Sequence, residues 1–205
     1  METPLAFLDG RRSVPASQLA GPAPDHDTLL RMLRSASRVP DHGKRVPFRF
    51  LRIEGDARAA LSARIVERSL EIHPGIGEAA LEKDRMRFQR APLIVAVIAQ
   101  QGEDAKIPAS ERFSTASCAC FALLQAAQAL GFGAQWLTGW PAYDPEILRM
   151  LGVGQDECVV GFIHIGTPQT DAPERERPDP AGLLSDLRWQ ERTEAAGRGA
   201  RQTLR

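Results

Sequence analysis

The chain has almost nothing with which to build a covalent or metal-held framework. Of its 205 residues only three are cysteines, too few for a disulfide scaffold. Cys118 and Cys120 stand two apart in a strongly helical stretch and so point to different sides of it, a poor geometry for chelation. Cys158 opens an apolar strand, and all three read as buried, reduced small hydrophobes. Net charge is missing as well: 26 basic residues balance 26 acidic ones, so bulk electrostatics favours neither nucleic acid nor a membrane surface. No apolar run is long enough to span a bilayer, the longest, Leu93 to Ala99, being only strand-sized. Glu2 and Asp9 near the start leave no secretory signal visible. These absences predict a soluble, cytoplasmic protein. Zinc-ligand spacing, the P-loop, GxGxxG, GxSxG and HExxH are also absent, which removes several common enzyme classes and leaves no metal ligands to name.

What is there suffices for one domain with a sizeable core, or one domain with a tail. Asp27 to Arg38 carries Leu29, Met32, Leu33 and Ala36 at helical spacing, with Asp25 or Asp27 to cap it. Pro40 forces the chain out of helix, so Asp41 and His42 begin a loop. Pro47 to Glu54 reads as a strand and Asp56 to about Leu70 as an amphipathic helix. Pro74 to Gly77 is a break, and Glu78 to Gln89 is a helix so charged that much of it must be solvated. Pro92 to Gln100 is a continuous apolar strand of the kind buried on both faces. The longest helix, about Ser110 to Leu130, is small-sided from Ser114 to Cys120, which suits either close packing inside the fold or the seam of a dimer. Gly131 is placed to end it in the left-handed conformation. Ala134 to Leu137 is a short strand, Asp144 to Leu151 a helix, and Cys158 to Ile165 a final buried strand.

Helices and strands alternate without a βαβ rhythm, so the expected class is α+β around a mixed sheet flanked by helices. Residues 1–170 form the expected domain. Residues 171–205, rich in Pro, Arg and Glu, form an extension in which Leu183, Leu184, Leu187 and Trp189 make one anchoring turn. From about Glu191 there is little to bury, and mobility is expected.

Two polar signatures end the first helical segments: Gly10-Arg11-Arg12-Ser13 and Arg38-Val39-Pro40-Asp41-His42. Paired arginines offer rigid forks of donors to phosphate oxygens, and serine adds a hydroxyl; a solvated surface pair is the plain alternative. His42 is either satisfied by a local carboxylate such as Asp41 or a ligand contact. His164 alternates within a buried strand as a hydrogen-bonded core residue, while His26 and His73 read as exposed. Trp136 and Trp140 are candidates for stacking on a ligand, with core packing expected for at least one.

In order and spacing these pieces resemble the nitroreductase family of flavin mononucleotide (FMN) enzymes, closest to its short, minimal branch. The resembling pieces are Arg11-Arg12-Ser13, Arg38 to His42, Pro47-Phe48-Arg49-Phe50 and Arg90-Ala91-Pro92-Leu93-Ile94. The small-residue helix, Gly131 to Trp136 and Gly161 to Pro168 complete the set. The likeness spans roughly residues 3 to 170. It implies an interlocked homodimer with FMN at the subunit interface, reduced by NAD(P)H and reoxidised by an electron-poor acceptor (nitroaromatic, quinone or similar) in ping-pong order. By that resemblance Arg11, Arg12 and Ser13 hold the phosphate and ribityl end. Ser37, Pro40, Asp41 and His42 come from the partner chain, and Gln135, Trp136 and Leu137 line the cofactor. No side chain acts as nucleophile, because the chemistry belongs to FMN. A positive charge near the flavin N1 and O2 favours the reduced ring, and Arg12 and Lys44 are the candidates for it.

The chain departs from the family pattern in places. Lys44 and Val46 stand where many relatives have Asn and Gln, Phe48 where they have Trp, and Leu137 where minimal-branch relatives have Arg. Thr167, Pro168 and Gln169 follow the last strand without a cation before Arg175. These departures motivate an alternative, an FMN-binding sensor or carrier without efficient turnover. A cofactor-free interaction module is a third possibility.

Overall fold

The computed structural model describes residues 4–187 and 189. It divides into two compact units, Met1–Pro173 and Glu174–Arg205. In chain order the first unit holds α1 (Pro4–Asp9), β1 (Leu19–Ala20), α2 (His26–Ala36), β2 (Phe48–Glu54), α3 (Asp56–Ile72) and α4 (Glu78–Met86). It continues with β3 (Leu93–Gln100), α5 (Ala109–Ala129), β4 (Gly133–Leu137), α6 (Pro145–Met150) and β5 (Glu157–Pro168).

The continuous apolar run of β3 is explained by its place. It lies between β2 and β5, and every residue from Leu93 to Ala99 is buried. Strand alternation sends Leu93, Val95 and Val97 into one core with Met32, Ala119 and Leu123 of α2 and α5. Ile94, Ala96 and Ile98 enter a second core with Leu61, Ile65 and Ile147 of α3 and α6. The sheet is thus the middle of three layers.

The expected mixed sheet proves antiparallel at every pairing. β3 and β4 do run in the same direction, as a helical crossover through α5 permits, but β5 lies between them and opposes both. The helices follow their sequence signals closely. Asp25, not Asp27, caps α2 by accepting from the Thr28 N–H at 2.8 Å, and Gly131 takes φ 79° just past α5. β1, only two residues long, has no pattern that sequence could show.

α5 uses its small residues on both sides. Ala116, Ala119 and Cys120 are fully buried, whereas Cys118 is exposed. Cys118 is therefore not the buried thiol expected: two residues along a helix turn the side chain about 200° from its neighbour. Cys158 is only partly buried, at the outer end of its strand.

In the second unit a short turn at Pro180–Gly182 is capped by Asp179, which accepts from the Ala181 N–H at 3.0 Å. Leu183, Leu184, Leu187 and Trp189 are all more than 70% exposed, at 72%, 79%, 86% and 81%. The expected anchoring turn does not bury them, because the turn is too short to fold them onto one another. The expected mobile stretch from Glu191 lies outside the described residues. Among the described residues no helix is long and apolar enough to cross a membrane.

Phe88, just past α4, is fully buried and meets Phe162 edge-on at 4.8 Å. Phe88→Ala removes that contact and leaves a cavity, so a loss of about 3–5 kcal/mol is expected in urea unfolding; a loss under about 1 kcal/mol would contradict this packing.

Candidate active site

The N-terminal segment after α1 is pinned along β4. The Val14 N–H donates to Ala134 O at 3.1 Å, and the Ala16 N–H donates to Gln135 Oε1 at 2.7 Å. Two signatures about 120 residues apart in sequence are thereby brought side by side. Gln135 is partly occupied in holding this junction, a role its residue type alone could not announce.

Strand alternation then divides the candidate residues between two clefts. Trp136 points to one side of β4 and shares a cleft with Arg11, Ser13, Phe121, Leu124, Thr138 and Val160. Arg11 donates to Ser13 Oγ at 3.3 Å and lies over the Phe121 ring, 5.9 Å from its centre. The Trp136 indole N–H donates to Val160 O at 3.3 Å, and its ring lies where a side chain at residue 161 would project, so Gly161 has to be glycine. The Arg12 guanidinium folds back on the local backbone. It donates to Asp9 O at 2.5 Å and to Arg11 O at 3.1 Å, and borders a different cleft with Gly10 and Val14.

Gln135 and Leu137 point to the opposite side of β4. There they line a cleft of about 260 Å³ with Pro15, Ala16 and Ser17 and three cations, Lys83, Arg87 and Arg90. These cations were missed at the level of sequence because they lie in a stretch so charged that it reads as a solvated face. The signal that could have found them is their spacing of three and four residues, which repeats at helical period even though α4 itself ends at Met86 and leaves Arg87 as its cap and Arg90 in the turn beyond. Lys83 and Arg90 have no ion-pair or hydrogen-bond partner among the described residues. Arg87 is only 17% exposed and is paired with the buried carboxylate of Asp84 at 2.9 Å.

The second signature lies elsewhere, against the N-terminal half of α5. Pro40 and His42 line a cleft with Ser110, Glu111, Ser114, Thr115 and Cys118. Ser37 ends α2, its hydroxyl donating to Leu33 O at 2.8 Å, and Pro40 O accepts from Thr115 Oγ1 at 3.1 Å. The Asp41 carboxylate accepts from the N–H groups of Arg45 and Val46, and so braces a loop in which Gly43, Lys44 and Val46 have φ of 72°, 52° and 48°. A positive φ at a β-branched residue is uncommon, and Val46 is 63% exposed. With Asp41 so engaged, His42 pairs instead with Glu111, Nδ1 to Oε2 at 2.7 Å. Lys44 is exposed in this loop, apart from the β4 clefts.

Titratable groups in the interior are quiet. Burial pushes the Cys120 thiol up to about 12 and raises that of Cys158, so neither is poised as a thiolate. His164, the cross-strand neighbour of Gln135, is 1% exposed. Its Nδ1 has no partner, so the expected hydrogen bond at that nitrogen is absent, and its ring packs 6.1 Å from that of Phe88. Burial, with the nearby Arg87 charge, lowers its pKa to about 4.

Comparison with known proteins places this geometry. The sequence profile described as "Nitroreductase family" matches residues 8–167. The Escherichia coli (strain K12) protein named "Putative NAD(P)H nitroreductase YdjA" is 39% identical over 182 residues, covering 88% of this chain and 97% of its own. A nitroreductase-like structure from Bacillus cereus superposes with a TM-score of 0.75 at 21% identity, covering 91% of this chain and 97% of that one. A structure in complex with FMN from Desulfovibrio desulfuricans gives 0.71 at 22% identity, covering 93% and 100%.

His164 makes stability depend on pH in a definite direction. Between its folded pKa of about 4 and the ordinary value of 6.5, only the unfolded chain binds the proton, so stability falls as pH is lowered through that window. Replacing it, as in His164→Phe, should flatten the fall in unfolding free energy from urea titrations between pH 7 and pH 5, by up to about 1.4 kcal/mol per pH unit. An unchanged slope would contradict the buried, neutral imidazole.

Proposed function

The chain belongs to the nitroreductase family, and on that premise we propose that it is an FMN-dependent NAD(P)H oxidoreductase reducing electron-poor acceptors such as nitroaromatics or quinones. The observation that carries this reading is the set of cations converging on β4 beside partly apolar walls. A flavin needs a flat, largely apolar slot with a few fixed donors, and its phosphate needs cations. The residues present fit that group. Arg11 and Ser13 offer phosphate donors beside Trp136, and Pro15 and Leu137 face the cations Lys83, Arg87 and Arg90.

When bound, FMN supplies the redox chemistry, accepting hydride from NAD(P)H and passing electrons to the acceptor. The protein's own residues bind and orient. Arg11 and Ser13 hold the phosphate end, while Arg12, expected with them, borders the neighbouring cleft. Gln135 keeps the N-terminal segment against β4, and Trp136 and Leu137 wall the two sides of that strand. Arg87 joins Arg12 and Lys44 as a candidate for the positive charge near the ring, and it is the one of the three held by a buried carboxylate within a single chain.

A second copy of the chain completes the site. The outer face of α5 presents Ser110, Ser114, Cys118 and Phe121, all exposed, a small-sided stripe ending in an aromatic that lets another helix approach closely. The cleft of Pro40 and His42 borders the same stripe, so pairing through it brings Ser37, Pro40, Asp41, His42 and Lys44 of the second copy toward the flavin. The domain that does this is residues 1–170, with 171–205 as an extension, and we place the protein in the cytoplasm.

The test is an anaerobic visible spectrum of the purified protein before and after NAD(P)H. Flavin bands that bleach are expected. Bands that persist would favour the sensor or carrier alternative, and a colourless protein that takes up no added FMN would sink the flavin reading. Arg11→Ala should weaken FMN binding roughly 10- to 100-fold, the worth of a charge-assisted bond, with little change in melting temperature. Equal loss of binding and stability would argue against its role at the phosphate.

A further inference from the structure

Arg87 differs from the two other cations of its cleft in being held on every side. Its guanidinium donates to Asp84 Oδ1 through Nη2 at 2.9 Å and Nε at 3.3 Å, and Nη1 lies 3.4 Å from Thr138 O. Asp84 is itself fixed. Its carboxylate accepts from Ser69 Oγ at 2.6 Å and from the Trp140 indole N–H at 3.1 Å. The chain also leaves room for the guanidinium: a Cβ on residue 139 would stand 2.6 Å from Arg87 Nη1, and Gly139 has φ 131°, which side chains rarely adopt. Lys83 and Arg90 are exposed and have no side-chain partner among the described residues, so they have no such constraint.

We propose that Asp84 is a positioning residue: acting through Arg87, it holds a fixed guanidinium on the wall of the Gln135–Leu137 cleft and thereby sets how tightly the protein holds FMN. This rests on the flavin reading of that cleft. A carboxylate buried only to staple α4 would be a poor stabiliser, because its desolvation offsets much of the pairing, and an apolar side chain would serve as well or better. What an apolar residue cannot do is orient a neighbouring cation. A free arginine loses rotamer freedom when it engages a ligand, and a tethered one has lost it already. Burial pushes the Asp84 carboxyl up, but the Ser69, Arg87 and Trp140 hydrogen bonds outweigh it and hold the group below its usual range, so it stays ionised. Asp84 lines neither β4 cleft, so its influence on a ligand there passes through Arg87.

A double-mutant cycle on FMN binding tests this. FMN Kd, from quenching of flavin fluorescence, and melting temperature are measured for wild type, Asp84→Asn, Arg87→Met and the double variant. Arg87→Met and Asp84→Asn should each raise Kd roughly tenfold or more, and the double variant should bind no more weakly than Arg87→Met alone. Trp140→Phe, which removes one donor to Asp84 and keeps the ring, should raise Kd in the wild-type background and not in Arg87→Met, and it serves if Asp84→Asn does not fold. Losses that multiply, or a Kd unmoved by Asp84→Asn while melting temperature falls, would overturn the positioning role and leave the flavin reading standing. Wild-type protein that takes up no FMN would overturn both.

Discussion

The backbone of Val14 to Ala16 is fastened to β4 by two hydrogen bonds, one to Ala134 O and one to the Gln135 side chain, and the clefts on either side of that strand depend on them. β4 is itself placed by its pairing with β5, a strand whose residues Val159 to Gly166 are all buried. The chain of dependence runs from an apolar strand, to the strand paired with it, to the N-terminal segment fastened on the outside. A site assembled in this way carries its cations on short, surface segments and its rigidity in the sheet, which is the division of labour a bound cofactor needs.

The same strand explains why a contiguous triplet serves two surfaces. Gln135 and Leu137 look to the side of α4, and Trp136 to the side of α5. The cations divide likewise, Arg11 to one side and Arg87 to the other. The clefts are linked at the end of β4, where Thr138 lines one of them and its carbonyl is approached by Arg87 of the other. The loop after α2 lies apart from both, against the first half of α5. Within one chain it shares neither cleft with β4, and in the pairing proposed above the exposed stripe of α5 is the surface through which a second copy would bring the two together.

Much of this was legible in the residues. The run from Leu93 to Ala99 could only be a strand covered on both faces, and the spacing of Leu29, Met32 and Ala36 could only be one face of a helix. Arg11-Arg12-Ser13 and Pro40-Asp41-His42 stood out because their residue types are poor core formers in fixed, short patterns. What was not legible has particular causes. The sheet's direction depends on β5 inserting between β3 and β4, a long-range choice that no local pattern encodes. The partner of His42 is Glu111, 69 residues away, because loop closure had already engaged the nearer Asp41. Arg87 was hidden in a stretch whose charge density resembles any solvated helix, and only the burial of Asp84 distinguishes it from its neighbours.

Completion of the flavin site by a second copy of the chain is tested by size-exclusion chromatography with light scattering and visible absorbance recorded on the same peak. The prediction is a particle of two chains that carries the flavin absorbance, one FMN for each chain. A single-chain particle that carries flavin would contradict it, because the loop from Ser37 to Lys44 would then have no part in the site.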